Sequence, residues 1–564
     1  MADNYRALPG HEIARVSELL QSQLLQPINI TPVQPQLAES NLLILDGLGS
    51  SSASFNEFNP LFARNRSNIQ ASGVYGNNNT WGNEITHAGL WNKFSYSLGQ
   101  FHYETDGFRE NNDLKQNIFN AFGQYAFSNN LNIQMEYRYK EVVSGDRRSK
   151  FNLNDFSNQS RESFRRNSGR IGINYKPDNT SNILLSAIYN DDELDFDNND
   201  DFATVNDTIQ SKSFSGELQY IKNFDWAKFI LGGGYAEQDY SNEIRLSISE
   251  LGIEASLFLL DPHASHTKSY FYSYWSLNQF EAILGISYDN LQTHDKTDRN
   301  RINPKVGFLW EISDSTTLRL AYIESVSRLS FTSQTIEPTQ VAGFNQFFDE
   351  KEGTISRRFG IGIDEKFNMS LYGGLEVSHR TLHVPRSFID NSDEQQKETL
   401  VRSYLYWTPI SNVTLSAEYF LAIRDRDLDE PFSDFFPSDM TTHQVPLTIS
   451  YFSPTGFYAK ARAIFVNQNV KFVSSDSDTL ANNINTQIQG SENFVTFNTI
   501  LGYRLPKRSG VFEFGIRNIL DERYQFADIN LGFPERDLVN SRTSSSRFAP
   551  ERTIFGRFIL NLDF

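Results

Sequence analysis

Between Leu131 and Lys140 the chain alternates without a break. Leu131, Ile133, Met135, Tyr137 and Tyr139 are apolar or aromatic, and Asn132, Gln134, Glu136, Arg138 and Lys140 between them are polar. Successive side chains of a strand point to opposite faces, so a period of two marks a strand with one apolar and one wet face. The pattern recurs at Ile171, Ile173 and Tyr175, at Val413, Leu415, Ala417, Tyr419 and Leu421, and at Phe512, Phe514 and Ile516. The chain closes on the same theme. Counting back from the carboxylate, Phe564, Leu562, Leu560, Phe558 and Ile554 share one face, and Asp563, Asn561, Arg557 and Thr553 share the other.

An apolar face on every strand and a polar face behind it is the pattern of closed antiparallel barrels of the bacterial outer membrane, which alternate apolar-out and polar-in. The connections fit. Short ones fall at 128–130, 176–182, 223–226, 313–315, 408–412, 453–456 and 506–510. Long polar ones fall at 142–163, 191–212, 239–266, 324–353, 424–443, 468–493 and 521–551. Short periplasmic turns and long outer loops are expected of such a barrel, and the segments from Arg66 to Phe564 add up to roughly 22 strands. The expected fold is therefore all-β, with residues 65–564 as a transmembrane barrel. Its lumen-facing charges would include Glu136, Arg138, Lys140, Glu418, Lys460, Arg462, Glu513 and Arg517.

Residues 1–64 read differently. Ile13, Val16, Leu20 and Leu24 recur at helical spacing within 11–25, Pro27 follows, and Pro32, Pro35, Gly47 and Gly49 punctuate an extended connector. This predicts a periplasmic N-terminal segment with one short amphipathic helix. The first ten residues lack the basic start and apolar core of an export signal.

Composition sharpens the class. A mean hydropathy of −0.48 and the lack of any run of about 18 to 20 apolar residues exclude a helical membrane protein. A barrel tolerates both, because half of each strand faces water. The 14% aromatic content suits interfacial girdles. There is no cysteine, so neither disulfides nor thiolate metal sites contribute. A net charge of −18 argues against a nucleic-acid partner, since backbone binding needs clustered Lys and Arg.

Candidate chemistry is sparse. Asp195, Asp197, Asn199 and Asp201 have the odd-position oxygens of a calcium loop, but Asp200 stands where Gly is wanted and Asn206 where a bidentate Glu is wanted. A solvated acidic loop is the plainer reading, with Ca2+ bridging to lipopolysaccharide phosphates as the alternative. His263 and His266 fall in an expected outer loop, where metal or haem is conceivable. His379 and His383, four apart on an expected strand, would stand about 13 Å apart and share no metal. No serine elbow, phosphate loop or dinucleotide fingerprint stands in a supporting context, so no enzyme is expected.

The run from Gly515 through Asn518, Asp521 and Tyr524, followed by Phe555-Gly556-Arg557-Phe558, resembles the C-terminal end of TonB-dependent receptor barrels, with Ile519 and Leu520 replacing the usual Leu-Phe pair. Ile336-Glu337-Pro338-Thr339-Gln340 resembles an outer-loop feature of the same receptors. The resemblance implies a closing strand whose Phe558, Leu560, Leu562 and Phe564 are read by the barrel-assembly machinery. The receptors also carry a plug domain and an energy-coupling box ahead of the barrel, and residues 1–64 are too short to hold either, so neither is expected within this sequence. The segments 24–27, 32–42 and 55–62 resemble the linker and barrel start of envelope proteins that carry periplasmic TPR repeats, which would make the chain the barrel end of a longer polypeptide.

The expected function is that of an outer-membrane barrel providing passage or docking for a solute or polymer. Its surroundings would be outer-membrane lipid and lipopolysaccharide. An export conduit or anchor for a periplasmic TPR module, and a surface adhesin, are the alternatives. Since an unfilled lumen of this width would leak, the N-terminal segment, inward-folded loops or another protein is expected to block it.

Overall fold

The computed structural model describes residues 12–28, 65–147, 151–154, 156–199, 204–248, 253–259, 263–293, 298–329, 334–346, 350–385, 393–427, 437–475, 485–527 and 550–564. Twenty-two antiparallel strands form a closed barrel in which each pairs with its neighbours in sequence. The ring is sealed where the first strand, Arg66–Gly76, pairs with the last, Thr553–Asp563. Ala71 lies opposite Leu560 and Gly73 opposite Phe558 in that seam, and the backbones of Ser67 and Phe564 exchange hydrogen bonds at its end.

Alternation decides which side chains meet lipid. Met135 is 59% exposed while its neighbour Gln134 is fully buried. Leu98, Phe119, Leu218, Leu284, Ile302, Phe359, Ile449, Leu501 and Phe514 join Met135 on the outside. The closing strand turns Ile554, Phe558, Leu562 and Phe564 outward as well. In water this surface would be an extended apolar patch; in a bilayer it is the required one. Leu218→Arg, which puts a cation into this band, is expected to lower unfolding free energy in lipid by about 2–4 kcal/mol. Urea titration in liposomes measures it, and an unchanged midpoint would place Leu218 outside the membrane.

At one rim the turns are tight. Trp91 pairs with Phe94 and Leu277 with Phe280, leaving two-residue connections. Their first residues, Asn92 (φ 52°) and Asn278 (φ 53°), adopt the left-handed conformation that asparagine tolerates better than most side chains.

At the other rim the strands overshoot the membrane. Ser181–Asn199, Thr204–Asn223 and Ala227–Ile248 contain 19, 20 and 22 residues, a run of about 60–70 Å against an apolar band of about 25 Å. The loops expected at 191–212 and 239–266 are largely strand instead. Asp191–Asn199 and Thr204–Lys212 pair with each other, and Ile253–Leu259 forms a further strand against 242–248. Above the membrane the outer face meets water in place of lipid and the inner face buries Asp192 beside Leu194, so the apolar–polar alternation that reveals a strand disappears while the backbone ladder continues. Cross-strand charge takes over. Arg166 pairs with Asp192 at 2.5 Å, and Arg165 pairs with Glu193.

The core lies in the lumen rather than between layers. Helix α1, Glu12–Leu25, sits inside the barrel, with Leu20 and Leu24 buried. Leu20 and Leu24 pack into one apolar cluster with Leu184, Ile221, Ile230, Tyr270 and Tyr272 of the wall. Ile336, Val341, Ala342 and Phe344 of the long connection after residue 326 belong to the same cluster. That connection therefore turns inward, although its polar composition reads as an outer loop.

Candidate functional site: the inner wall of the barrel

Among the described residues, α1 and one connection pack side by side against the inner wall, and the wall is shaped for each. The first is α1. The last carbonyls of a helix have no intrahelical partner, and here wall amides supply the donors. Gln134 Nε2 donates to the Gln23 carbonyl (2.9 Å) and Asn174 Nδ2 to that of Leu24 (2.9 Å). Gln124 and Asn132 both donate to the Gln26 carbonyl, at 3.1 and 3.3 Å. Arg170 fixes the Gln23 side chain at 2.9 Å while pairing with Glu136 at 2.7 Å. Gly172 provides room for Leu24: a Cβ there would stand 2.5 Å from Leu24 Cδ2.

The second segment is the inward loop, 334–346. Its hairpin, Gln340–Val341 against Phe344–Asn345, pairs only with itself. The wall holds it by charge. Glu217, on the strand Thr204–Asn223, forms an ion pair with Lys268 and accepts hydrogen bonds from the Thr335 hydroxyl and the Ile336 N–H, both at 2.9 Å. Arg328 lies 3.7 Å from Glu217 and pairs with Glu337. Glu337 also accepts from the Tyr272 hydroxyl at 2.8 Å, and Gln346 donates to that hydroxyl at 2.9 Å. Every member is almost fully buried, so the cluster is stable only as a satisfied set.

Beyond it, Phe344 is fully buried over Gly360, where a Cβ would stand 2.4 Å from the ring. The guanidinium groups of Arg319 and Arg358 lie 5.3 and 5.6 Å from the ring centre. Arg358 also donates to the Asn345 carbonyl at 2.7 Å. At the far end of the loop Glu350 pairs with Arg380 at 2.7 Å.

The two segments are fastened to each other. Ser17 Oγ accepts from the Thr335 N–H at 3.1 Å, and Gln21 donates to the Glu337 carbonyl at 2.8 Å. Thr339 and Gln340 both donate to the Glu18 carboxylate, at 2.9 and 2.6 Å.

The residues singled out from sequence are distributed around this site. Glu136 is in it, through Arg170. Glu513 pairs with Arg557 and accepts from Tyr458, and Glu418 accepts from Tyr406 at 2.7 Å and faces Arg402 at 3.6 Å. Lys140 lies 5.9 Å from the Phe164 ring and Arg517 5.4 Å from that of Phe555. By strand parity Arg138, Lys460 and Arg462 share the inward side, since Tyr137 and Phe465 are exposed.

Asp195 and Asp197 stand on a strand, accepting from Thr208 (3.0 Å) and Asn206 (2.6 Å). Asn199 ends that strand, and Asp201 lies outside the described residues. Among the described residues no group of three His, Asp or Glu side chains is placed to hold a metal. His263 and His266 stand on opposite faces of one strand: His266 is buried against Asp289 at 3.0 Å, and His263 is exposed beside Asp239. His379 faces outward and meets Thr399.

Sequence reasoning missed Glu217, Lys268, Tyr272 and Arg328. Parity on their strands would have turned the first three inward, since Leu218 and Phe271 are exposed. Nothing local marks Arg328.

A family model described as TonB dependent receptor-like, beta-barrel matches residues 179–356, the stretch that carries the ionic cluster and the inward loop. None of the curated proteins compared with the chain matches it. Among solved structures, the copper transporter OprC superposes with a TM-score of 0.66 at 12% identity, over 89% of this chain and 81% of its own. The siderophore receptor PiuA from Acinetobacter baumannii gives 0.65 at 12%, over 89% and 82%. The FrpB iron transporter from Neisseria meningitidis gives 0.64 at 11%, over 89% and 82%. The fold is that of TonB-dependent receptor barrels. The bacterial outer membrane is its location, in keeping with the apolar exterior and the two unequal rims.

Proposed function

We propose that the chain is a gated passage across the outer membrane, taking a solute or polymer that its outer rim admits. One observation carries this reading: among the described residues, both inward segments, α1 and 334–346, are held by side-chain contacts and neither adds a strand to the barrel ladder. They can leave the lumen without breaking a single inter-strand hydrogen bond of the wall. A permanent seal has no need of that separation, whereas a gate does. The solved transporters with the same fold support the class, not the cargo.

Flux tests it. Proteoliposomes loaded with graded fluorescent oligosaccharides should retain them with the intact chain and release them when Glu217 is replaced by alanine. Retention of every size by a correctly inserted Glu217→Ala barrel would refute the passage and leave a docking platform.

A further inference from the structure

We infer that the inner wall of the last four strands is a track for an acidic saccharide chain, with Lys460 and Arg504 as the cations that select it. The inference rests on the gated-passage reading and names its cargo.

The lumen is not charged evenly. On the strands from Thr316 to Arg426 inward arginines are buried and matched by carboxylates. Arg319 pairs with Asp364 and Glu376 at 2.6 and 3.1 Å, and Arg380 with Glu398 at 3.1 Å. On Phe457–Ser475, Asn485–Arg504, Gly510–Arg517 and Thr553–Asp563 the balance changes. Phe465, Leu501, Phe512 and Ile554 are exposed there, so by parity Lys460, Arg462, Arg504, Arg517 and Arg557 face inward. Between the short-turn rim and the row of Arg462 and Asn498, the described inward side chains of these strands include one carboxylate, Glu513, and Arg557 pairs with it.

Among the described residues the side chains of Lys460 and Arg504 make no ion pair and no hydrogen bond. Rings hold Arg504 instead: its guanidinium lies 5.0 Å from the centre of Phe452 and 5.4 Å from that of Tyr458, which itself fills the space over Gly502. Stacking fixes a guanidinium and leaves its donor edge for a ligand. A chain of net charge −18 thus keeps an unneutralised basic strip inside its lumen, where low-dielectric walls focus the potential on passing anions.

The layout of the strip favours a chain over a small anion. Cations that bind one small anion converge; these climb the wall. Lys460 lies opposite Ile500 and Arg462 opposite Asn498, and the six residues from Arg504 back to Asn498 span about 20 Å. The neighbours are hydroxyls, with Ser450 opposite Lys460 and Thr448 opposite Arg462, which suit a hydroxylated polymer. A nucleic acid would need free ring faces for its bases, whereas Phe452 and Tyr458 stack on each other at 6.0 Å and on Arg504.

The test uses the full-length chain with Phe344→Ala, a neutral change expected to open the lumen, in a planar bilayer under a KCl gradient. Oligogalacturonate added from the short-turn side should block the current at concentrations where a maltodextrin of equal length does not. Lys460→Gln with Arg504→Gln should move the reversal potential toward cation preference and weaken the block by roughly a hundredfold, as two lost charge-assisted contacts of about tenfold each. Neither side chain has an ionic partner to orphan, so the barrel should assemble, and Lys460→Arg should keep the block. Equal block by both saccharides, or an unchanged block in the glutamine variant, overturns the track and leaves the passage standing. Stronger block by an oligonucleotide of equal charge overturns the saccharide assignment. A properly inserted barrel that never conducts overturns passage and track together.

Discussion

Glu217→Ala is expected to release the inward loop. The substitution removes the carboxylate that pairs with Lys268 and lies 3.7 Å from Arg328, and strips the Thr335 hydroxyl and Ile336 N–H of their acceptor. Removing one partner of a buried pair costs about 3–5 kcal/mol, because the other charge stays desolvated. Lys268, on the strand His263–Leu277, regains water once the loop leaves, so the penalty falls on the closed arrangement of residues 334–346. At about 1.4 kcal/mol per tenfold, the closed-to-open ratio should fall by a factor of roughly one hundred to several thousand. The absence of native cysteine makes this measurable. A single cysteine at Ile336, fully buried in the closed lumen, should react with a water-soluble maleimide far faster in the Glu217→Ala background. Adding Lys268→Ala should return part of the protection, since the cycle removes the orphaned cation. Equal labelling rates in both backgrounds would mean that the ionic cluster does not hold the loop.

The second large effect is expected at Phe344. Its ring fills the space over Gly360 and lies beside two guanidinium groups. Truncating a buried phenylalanine costs about 3–5 kcal/mol. Phe344→Ala should therefore loosen the hairpin as strongly as the loss of Glu217, by a different route. Gly360→Val approaches the same contact from the wall, inserting carbon where the ring already stands and forcing it out. Both variants should assemble, because heat-modifiable migration reports the barrel ladder and not its contents. Both should raise proteolytic cleavage within 334–346 by protease added from the outer side. Normal protection in both variants would remove Phe344 from the closure.

The barrel was legible because lipid imposes a period of two wherever it touches the chain. Met135 against Gln134, and Phe512 and Phe514 against Glu513, carry the fold in a handful of residues. Legibility stopped at the membrane boundary. Asp191–Asn199 is strand, yet without lipid on its outer face the constraint that makes a strand visible in sequence is gone. Helix α1 was readable from Leu20 and Leu24, but its seat was not, since an amphipathic helix shows that it has a partner without naming it.

The inward loop was the hardest element to read. Thr335, Glu337 and Thr339 look solvent-loving, and they are buried because Glu217, Lys268, Tyr272 and Glu18 answer their side chains from elements tens to hundreds of residues away. Polar burial satisfied at long range has no local signature. Conversely, strand parity alone would have turned Glu217 and Lys268 inward. That rule applied to every charged residue of the strands would have exposed most of the site.

Single-channel recording from the intact chain in a planar bilayer tests the central claim, that α1 and residues 334–346 together close this barrel. Insertion without a steady open level, with stepwise openings once either segment is displaced, is the predicted record. A persistent wide conductance from the intact, correctly inserted chain would contradict it.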